Sequence, residues 1–398
     1  MISFEAPAGD PSPAALAPRS DFPILDELTY LNAASIGLVP MPVRAAAAAF
    51  DREIMARGTT WFDERQETEV LDRARLAGAR LLDVDPETIA VPSSATQVLC
   101  EVAWALRPGA RENVVSADIE FPSATYPWMR VAEDTGAEVR LVRALDDPAS
   151  LDVDAIAAAV DGRTAAICVS HVQYATGAVL DLAALGALAR AHGAALVVDA
   201  TQSAGMVPID LARTPADVVV AGGYKRLCGP FGAAIAYLSP AILERLRPSF
   251  VGWRSTVDPY ALDARTMPLA ASARKLEFST MSYSAGYALG AAIEYVLDVG
   301  VERILDHGRA LGDRLIAGLD DLGVEVVTPR DAALRAGTVT ARFGARDGEA
   351  VAGELNARGV IVSPRFGSTR FSLAFFNDAT DVDRALAVLQ DVLGDTRS

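Results

Sequence analysis

The chain has few of the residues that staple or metallate small folds. Its 398 residues include three cysteines, Cys100, Cys168 and Cys228, and three histidines. An odd number of widely spaced cysteines gives neither a disulfide framework nor a zinc site, and it points to a reducing compartment. Positive charge is also in short supply: 36 lysines and arginines against 52 acidic residues leave a formal net charge of −16. That balance repels phosphate backbones and anionic lipid surfaces, so nucleic acid and membrane partners are not expected and a small molecule is. No apolar run approaches the roughly 20 residues that span a bilayer. The first residues, rich in Ala, Pro and Ser, lack the basic start and unbroken apolar centre of a signal peptide, so a cytoplasmic location is expected. Neither a Gly-x-Gly-x-x-Gly nor a Walker-type lysine occurs, which leaves a nucleotide-binding fold little support. No low-complexity linker and no clear internal repeat divides the chain.

What is present is enough apolar material, 51% of residues, for a sizeable core. The length suits two or three units. They are expected as a loose arm over 1–20, a larger unit over 21–285 and a smaller α+β unit over 286–398, with the first residues of the larger unit able to pack on the smaller. Short apolar runs at about 88–91, 113–116, 138–142, 164–169, 195–199, 217–221 and 232–238 read as strands, and the segments between several of them read as helices. Strands alternating with helices imply an α/β fold with a mostly parallel seven-stranded sheet flanked by helices on both faces. One long helix is expected from Asp63 to Leu82.

Two of these runs carry the chemistry. Ala195-Leu196-Val197-Val198 ends in Asp199-Ala200-Thr201-Gln202, and Val218-Val219-Val220-Ala221 leads through Gly222-Gly223-Tyr224 to Lys225. Valine-rich runs closed by polar or glycine residues look like strands buried on both faces, and residues at their carboxyl ends point into the crevice where open α/β sheets bind ligands. An acid and a lysine placed there suit pyridoxal phosphate. The lysine forms a Schiff base with the aldehyde, and the acid keeps the pyridine nitrogen protonated. Each residue alone reads as readily as a turn cap or a solvated loop charge. Ser93-Ser94-Ala95-Thr96-Gln97 opens a helix, and free N–H groups at such a start form an anion site as readily as an ordinary cap.

The combination Val-Val-Asp-Ala-Thr-Gln, Gly-Gly-Tyr-Lys and Gly229-Pro230-Phe231-Gly232 resembles the class-V aminotransferase family of pyridoxal phosphate enzymes. Cysteine desulfurases, kynureninase, isopenicillin N epimerase and carbon–sulfur lyases belong to it, and the likeness runs from Tyr30 to Asn377. It implies the type I fold of such enzymes. It also implies Lys225 as catalytic residue, and Ala95 (through its backbone) and Thr96 on the phosphate. The resemblance places Phe121 over the ring, Asp199 on the ring nitrogen, Gln202 and Tyr174 near the 3-oxygen, and Tyr224 on the phosphate. Gly222 stands where desulfurases have a phosphate-binding serine, so a backbone N–H is expected to substitute. Thr280, in Phe278-Ser279-Thr280, is either a phosphate contact in the partner of a homodimer or part of a surface turn. Arg370 matches the arginine that holds the substrate's carboxylate, and Asn32 and Ala33 lie in a stretch that runs past the substrate. Arg365 reads as a solvated loop charge ahead of a second anion contact, and His171 as structural ahead of a second base.

The resemblance further implies an amino-acid substrate. Desulfurases carry a mobile cysteine before the carboxylate arginine, and this segment has none. Elimination at carbon–sulfur on an S-substituted cysteine is therefore the expected reaction, with transamination and epimerisation as alternatives inside the family. A non-catalytic binding module of the same fold is the alternative outside it.

Overall fold

Residues buried on both sides of a sheet must be apolar at every position, and this explains why the central runs show no alternation. In the computed structural model, which describes residues 13–145, 147 and 150–394, they form the middle of one sheet. Its strands are β1 (Ile89–Ala90), β2 (Asn113–Ala117), β3 (Glu138–Val142), β4 (Thr164–Ser170), β5 (Ala195–Asp199), β6 (Val218–Gly222) and β7 (Ala234–Leu238). They lie in the order β1-β7-β6-β5-β4-β2-β3. From β3 across to β6 all neighbours are parallel, whereas β7 runs antiparallel to both β6 and β1. Leu196 and Val198 point to one face, under helices Asp72–Leu82 and Leu182–His192. Ala195 and Val197 point to the other, under Ala95–Leu106 and Tyr126–Thr135.

The helix expected from Asp63 to Leu82 is two helices, Glu64–Glu69 and Asp72–Leu82. The break at Val70 and Leu71 buries both residues. It also puts Asp72 at a new helix start, where its carboxylate accepts from Arg75 and Arg274, a favourable end of the dipole for an acid.

A second core forms around Leu311, Leu315, Val339, Phe371 and Leu389. It packs a four-stranded antiparallel sheet, Glu325–Val326, Thr338–Arg342, Ser363–Arg365 and Ser368–Ser372, against helices Val301–Asp321, Gly348–Ala357 and Ala379–Gly394. The division expected after residue 285 falls inside helix Tyr283–Val299. Leu289 and Ile293 of that helix join the core of the large sheet, so packing carries it with the first unit.

The loose arm expected over 1–20 does not hold for residues 13–20. Residues 1–12 lie outside the described residues, but Leu16 donates its N–H to Phe375 O at 2.8 Å and Ala379 donates to Pro13 O at 3.0 Å. Phe22 and Leu25 follow into a cluster with Phe375 and Phe376, and apolar burial of this kind fixes a segment that polar termini would leave free. Thr29–Tyr30 then pairs in parallel with Val360–Ile361, so the start of the chain does pack on its C-terminal part. No described helix is long and apolar enough to cross a membrane.

Candidate active site

The carboxyl ends of β4, β5 and β6 and the segments after β1 and β2 converge on a cavity of about 260 Å³. Asp199 closes β5 at its floor, and Lys225 enters from the turn after β6. That turn is held tightly. Gly37 donates its N–H to Tyr224 O at 2.8 Å, and Cys228 donates to Lys225 O at 3.0 Å. A Cβ on Gly37 would fall 1.9 Å from Lys225 O, so only glycine allows the two backbones to meet.

The Lys225 side chain is 9% exposed. Its Nζ lies 5.2 Å from the centre of the Phe121 ring and 5.6 Å from that of Tyr224. Burial pulls its pKa down to about 8; Asp199 opposes the fall, and Arg370, Arg226 and Arg365 add to it. The chain has only one other lysine, Lys275. Its Nζ is used structurally, donating to Leu243 O at 2.7 Å.

Around the lysine stand several of the residues expected to contact the cofactor. Asp199 accepts from Thr201 N–H at 2.9 Å, which orients one carboxylate oxygen. Gln202 donates through Nε2 to Ala34 O at 2.8 Å, and its Oε1 is buried without a partner. Ser94 caps helix Ala95–Leu106 by accepting from Gln97 N–H at 3.1 Å. The cavity is lined there by Ala95 and Thr96, at a helix start whose first N–H groups have no intrahelical acceptor. Thr96 and Ser123 share a hydroxyl hydrogen bond of 2.9 Å. Tyr224 stacks on Phe231 with ring centres 4.7 Å apart, and Tyr174 meets Phe121 edge to face at 5.7 Å.

The Gly222 N–H is already engaged. It donates to Thr201 Oγ1 at 3.2 Å because Thr201 sits directly across from the end of β6. Thr201 itself lines the cavity, and its hydroxyl keeps a proton to donate.

Beyond Tyr174 two arginines meet. Arg370 donates through Nη1 to Tyr174 O at 2.6 Å and through Nη2 to Ser35 Oγ at 2.7 Å. Arg365 reaches the same hydroxyl at 3.3 Å and lies over the Tyr174 ring, 5.8 Å from its centre. The Nε atoms of both are buried without partners. Burial, with Arg365 and Arg226 nearby, draws the Arg370 pKa down to about 8. Arg365 is thus half-buried against an aromatic ring rather than the solvated loop charge expected.

Asn32, Ala33, Thr280 and Arg370 are not among the residues that line this cavity, and neither is His171, expected as structural. Asn32 and Ala33 bind the Ser372 backbone, and the contact they deliver is that of the next hydroxyl, Ser35. Thr280 is exposed, past Glu277, which is buried against Arg75 and accepts from it at 2.6 Å. His171 lines a separate depression beside Pro208 and Asp210, and burial pushes its pKa down to about 4. The alternation of a strand end explains this, since the preceding Ser170 faces the cavity. Sequence reasoning left Ser35, Thr201 and Glu120 without roles. Glu120 is buried behind Phe121, accepts from Ser170 N–H at 2.9 Å and Gln173 Nε2 at 2.5 Å, and burial raises its pKa to about 7.

This donor set fits pyridoxal phosphate: a lowered lysine amine, a floor carboxylate, an unpaired amide oxygen, and hydroxyl and N–H donors gathered at a helix start. The aminotransferase class-V family model matches residues 29–385. An uncharacterised aminotransferase of Bacillus subtilis is 27% identical over 92% of this chain and 95% of its own length. A probable cysteine desulfurase of Methanothermobacter thermautotrophicus is 31% identical over 77% of this chain and 76% of its own. Among solved structures, a lysine-to-alanine mutant of C-DES with glycine covalently linked to its PLP cofactor superposes with a TM-score of 0.86 at 25% identity, over 94% of this chain and 99% of that one. The complex of the cystine C–S lyase C-DES with its product cysteine persulfide gives 0.85 at 25% identity, over 93% and 99%.

Proposed function

This chain belongs to the class-V aminotransferase family, and from that premise we propose that it is a pyridoxal phosphate-dependent carbon–sulfur lyase acting on an S-substituted cysteine. The observation that carries the reading is that Lys225 and Asp199 line one cavity with Arg370 near enough to act on the lysine amine, in a chain that superposes on a cystine C–S lyase. Asp199 would hold the ring nitrogen, Gln202 with Tyr174 the 3-oxygen, and Phe121 one face. Thr96, Thr201, Tyr224 and the Ala95 N–H would hold the phosphate. When bound, the cofactor supplies an electron sink beside Cα.

Arg370 orients the substrate by its carboxylate, a match of planar guanidinium to planar acid. Lys225, with its amine neutral in a substantial fraction of molecules near pH 8, takes the Cα proton, as a base tuned close to working pH should. The electrons released form the Cα–Cβ double bond, and the Cβ–S pair departs with sulfur. Water then converts the remaining fragment to pyruvate and ammonia.

Among the described residues no cysteine lines the cavity: Cys168 and Cys228 are buried elsewhere and Cys100 is on helix Ala95–Leu106. This supports release of the sulfur species rather than its capture by the protein. The same reading makes the active unit a homodimer in which exposed Thr280 serves the partner's phosphate, and it places the protein in the cytoplasm. Incubation of the cofactor-loaded protein with S-substituted cysteines should yield pyruvate over many turnovers. No pyruvate, with a stoichiometric keto acid when a keto acceptor is added, would make the protein an aminotransferase instead.

A further inference from the structure

One amino-acid carboxylate needs one guanidinium fork, and this site presents two. Every hydrogen bond from Arg370 and Arg365 ends on a neutral oxygen: the Tyr174 and Pro364 carbonyls and the shared Ser35 hydroxyl. Both Nε–H groups remain buried and unpaired. Two cations gathered on one hydroxyl, with buried Arg226 also acting on Arg370, repel one another unless anions are bound between and beside them. Asp199, the carboxylate that lines the cavity, is committed to Thr201, and buried Glu120 to Ser170 and Gln173.

The two arginines differ in depth. Arg370 is fully buried, whereas Arg365 is partly exposed on the outer side of Tyr174. Between the Lys225 amine and Arg365 runs a file of aromatic rings: Phe121 meets Tyr174 at 5.7 Å, and Tyr174 meets Phe366 at 6.2 Å. An apolar arm extending outward from Cβ would pass along these rings and end at the outer guanidinium.

We propose that the substrate is doubly acidic: its α-carboxylate meets Arg370, and a second anionic group at the far end of an apolar β-substituent meets Arg365. This rests on the reading of the substrate as a β-substituted amino acid, and it makes Arg365 the specificity-determining residue. An arrangement in which both arginines grip a single carboxylate is the competing outcome.

Ligands without a leaving group separate binding from turnover. Calorimetric titration of the cofactor-loaded protein with L-aspartate, L-glutamate and L-2-aminoadipate, each against its ω-amide, measures what the second charge contributes. The best-fitting acid is expected to bind roughly 10- to 100-fold more tightly than its amide, the range of a charge-assisted hydrogen bond. Arg365→Gln should bring that ratio to within about threefold, and Arg365→Lys should retain part of it. Equal affinities for acid and amide in the unaltered protein, no measurable binding of any acid, or an undiminished ratio in Arg365→Gln would each overturn the proposal. Pyruvate release from S-carboxymethylcysteine is read separately: a charge preference without pyruvate would sink the lyase reading and leave the doubly acidic ligand standing.

Discussion

Replacing Lys225 by methionine should stabilise the cofactor-free protein at neutral pH while abolishing its chemistry. The amine is buried beside three arginines, with Asp199 the acid acting on it, and its pKa falls from 10.5 to about 8. A fall of that size corresponds to about 3 kcal/mol by which folding disfavours the charged form. The sign follows from linkage. Between about pH 8 and about pH 10.5 the unfolded lysine binds more protons than the folded one, so the unaltered protein gains stability as pH rises through that window. Below it the full penalty applies. Methionine fills the slot without charge and keeps a sulfur near the faces of Phe121 and Tyr224. Scanning calorimetry of cofactor-free protein at fixed concentration should therefore show Lys225→Met melting roughly 2–5 °C higher at pH 7. The gain should shrink by more than half at pH 10. A variant that melts lower at pH 7, or whose gain is the same at both pH values, would refute the claim that Lys225 is a destabilised cation held for its chemistry.

Two further substitutions probe how the site is held. Glu277→Ala leaves the Arg75 guanidinium, only 1% exposed, with Asp72 and the Ile89 carbonyl as its remaining partners and removes the acceptor of the Val91 N–H at 2.8 Å. Urea denaturation should show a loss of about 3–5 kcal/mol, as for other broken buried pairs, and a loss under about 1 kcal/mol would contradict the pair's structural role. Gly37→Ala must displace the Lys225 carbonyl, since the added carbon would lie 1.9 Å from it. Equilibrium dialysis should find pyridoxal phosphate bound at least about tenfold more weakly; an unchanged Kd would show that the turn carrying Lys225 tolerates the shift.

The parts of this site that could be read from the chain are those governed by local rules. Asp199 and Lys225 follow unbroken valine-rich runs, and burial on both faces of β5 and β6 is what such runs encode. The hydroxyl residues ahead of Ala95 and Thr96 mark the helix start, while their assignment to a phosphate came from the family resemblance. Contacts between distant segments were not legible. Ser35 meets Arg370 across 335 positions of chain, and nothing near Ser35 marks it for that task. Arg365 was read as a solvated loop charge, while the Tyr174 ring that covers it comes from the turn after β4, far away in the chain. Ser170 went unassigned because adjacent strand residues face opposite ways, and the end of β4 had to be known to one residue to say that it faced the cavity. The docking of residues 13–20 depended on Phe375 and Phe376, which no local pattern reveals.

The central claim is that the Lys225 amine carries the cofactor, and the chain makes it simple to test, because Lys275 is the only other lysine. Borohydride reduction of the cofactor-loaded protein followed by peptide mapping should place the phosphopyridoxyl group on the peptide containing Lys225 and on no other. An adduct on Lys275 or at the amino terminus, or no adduct from yellow protein, would contradict the account.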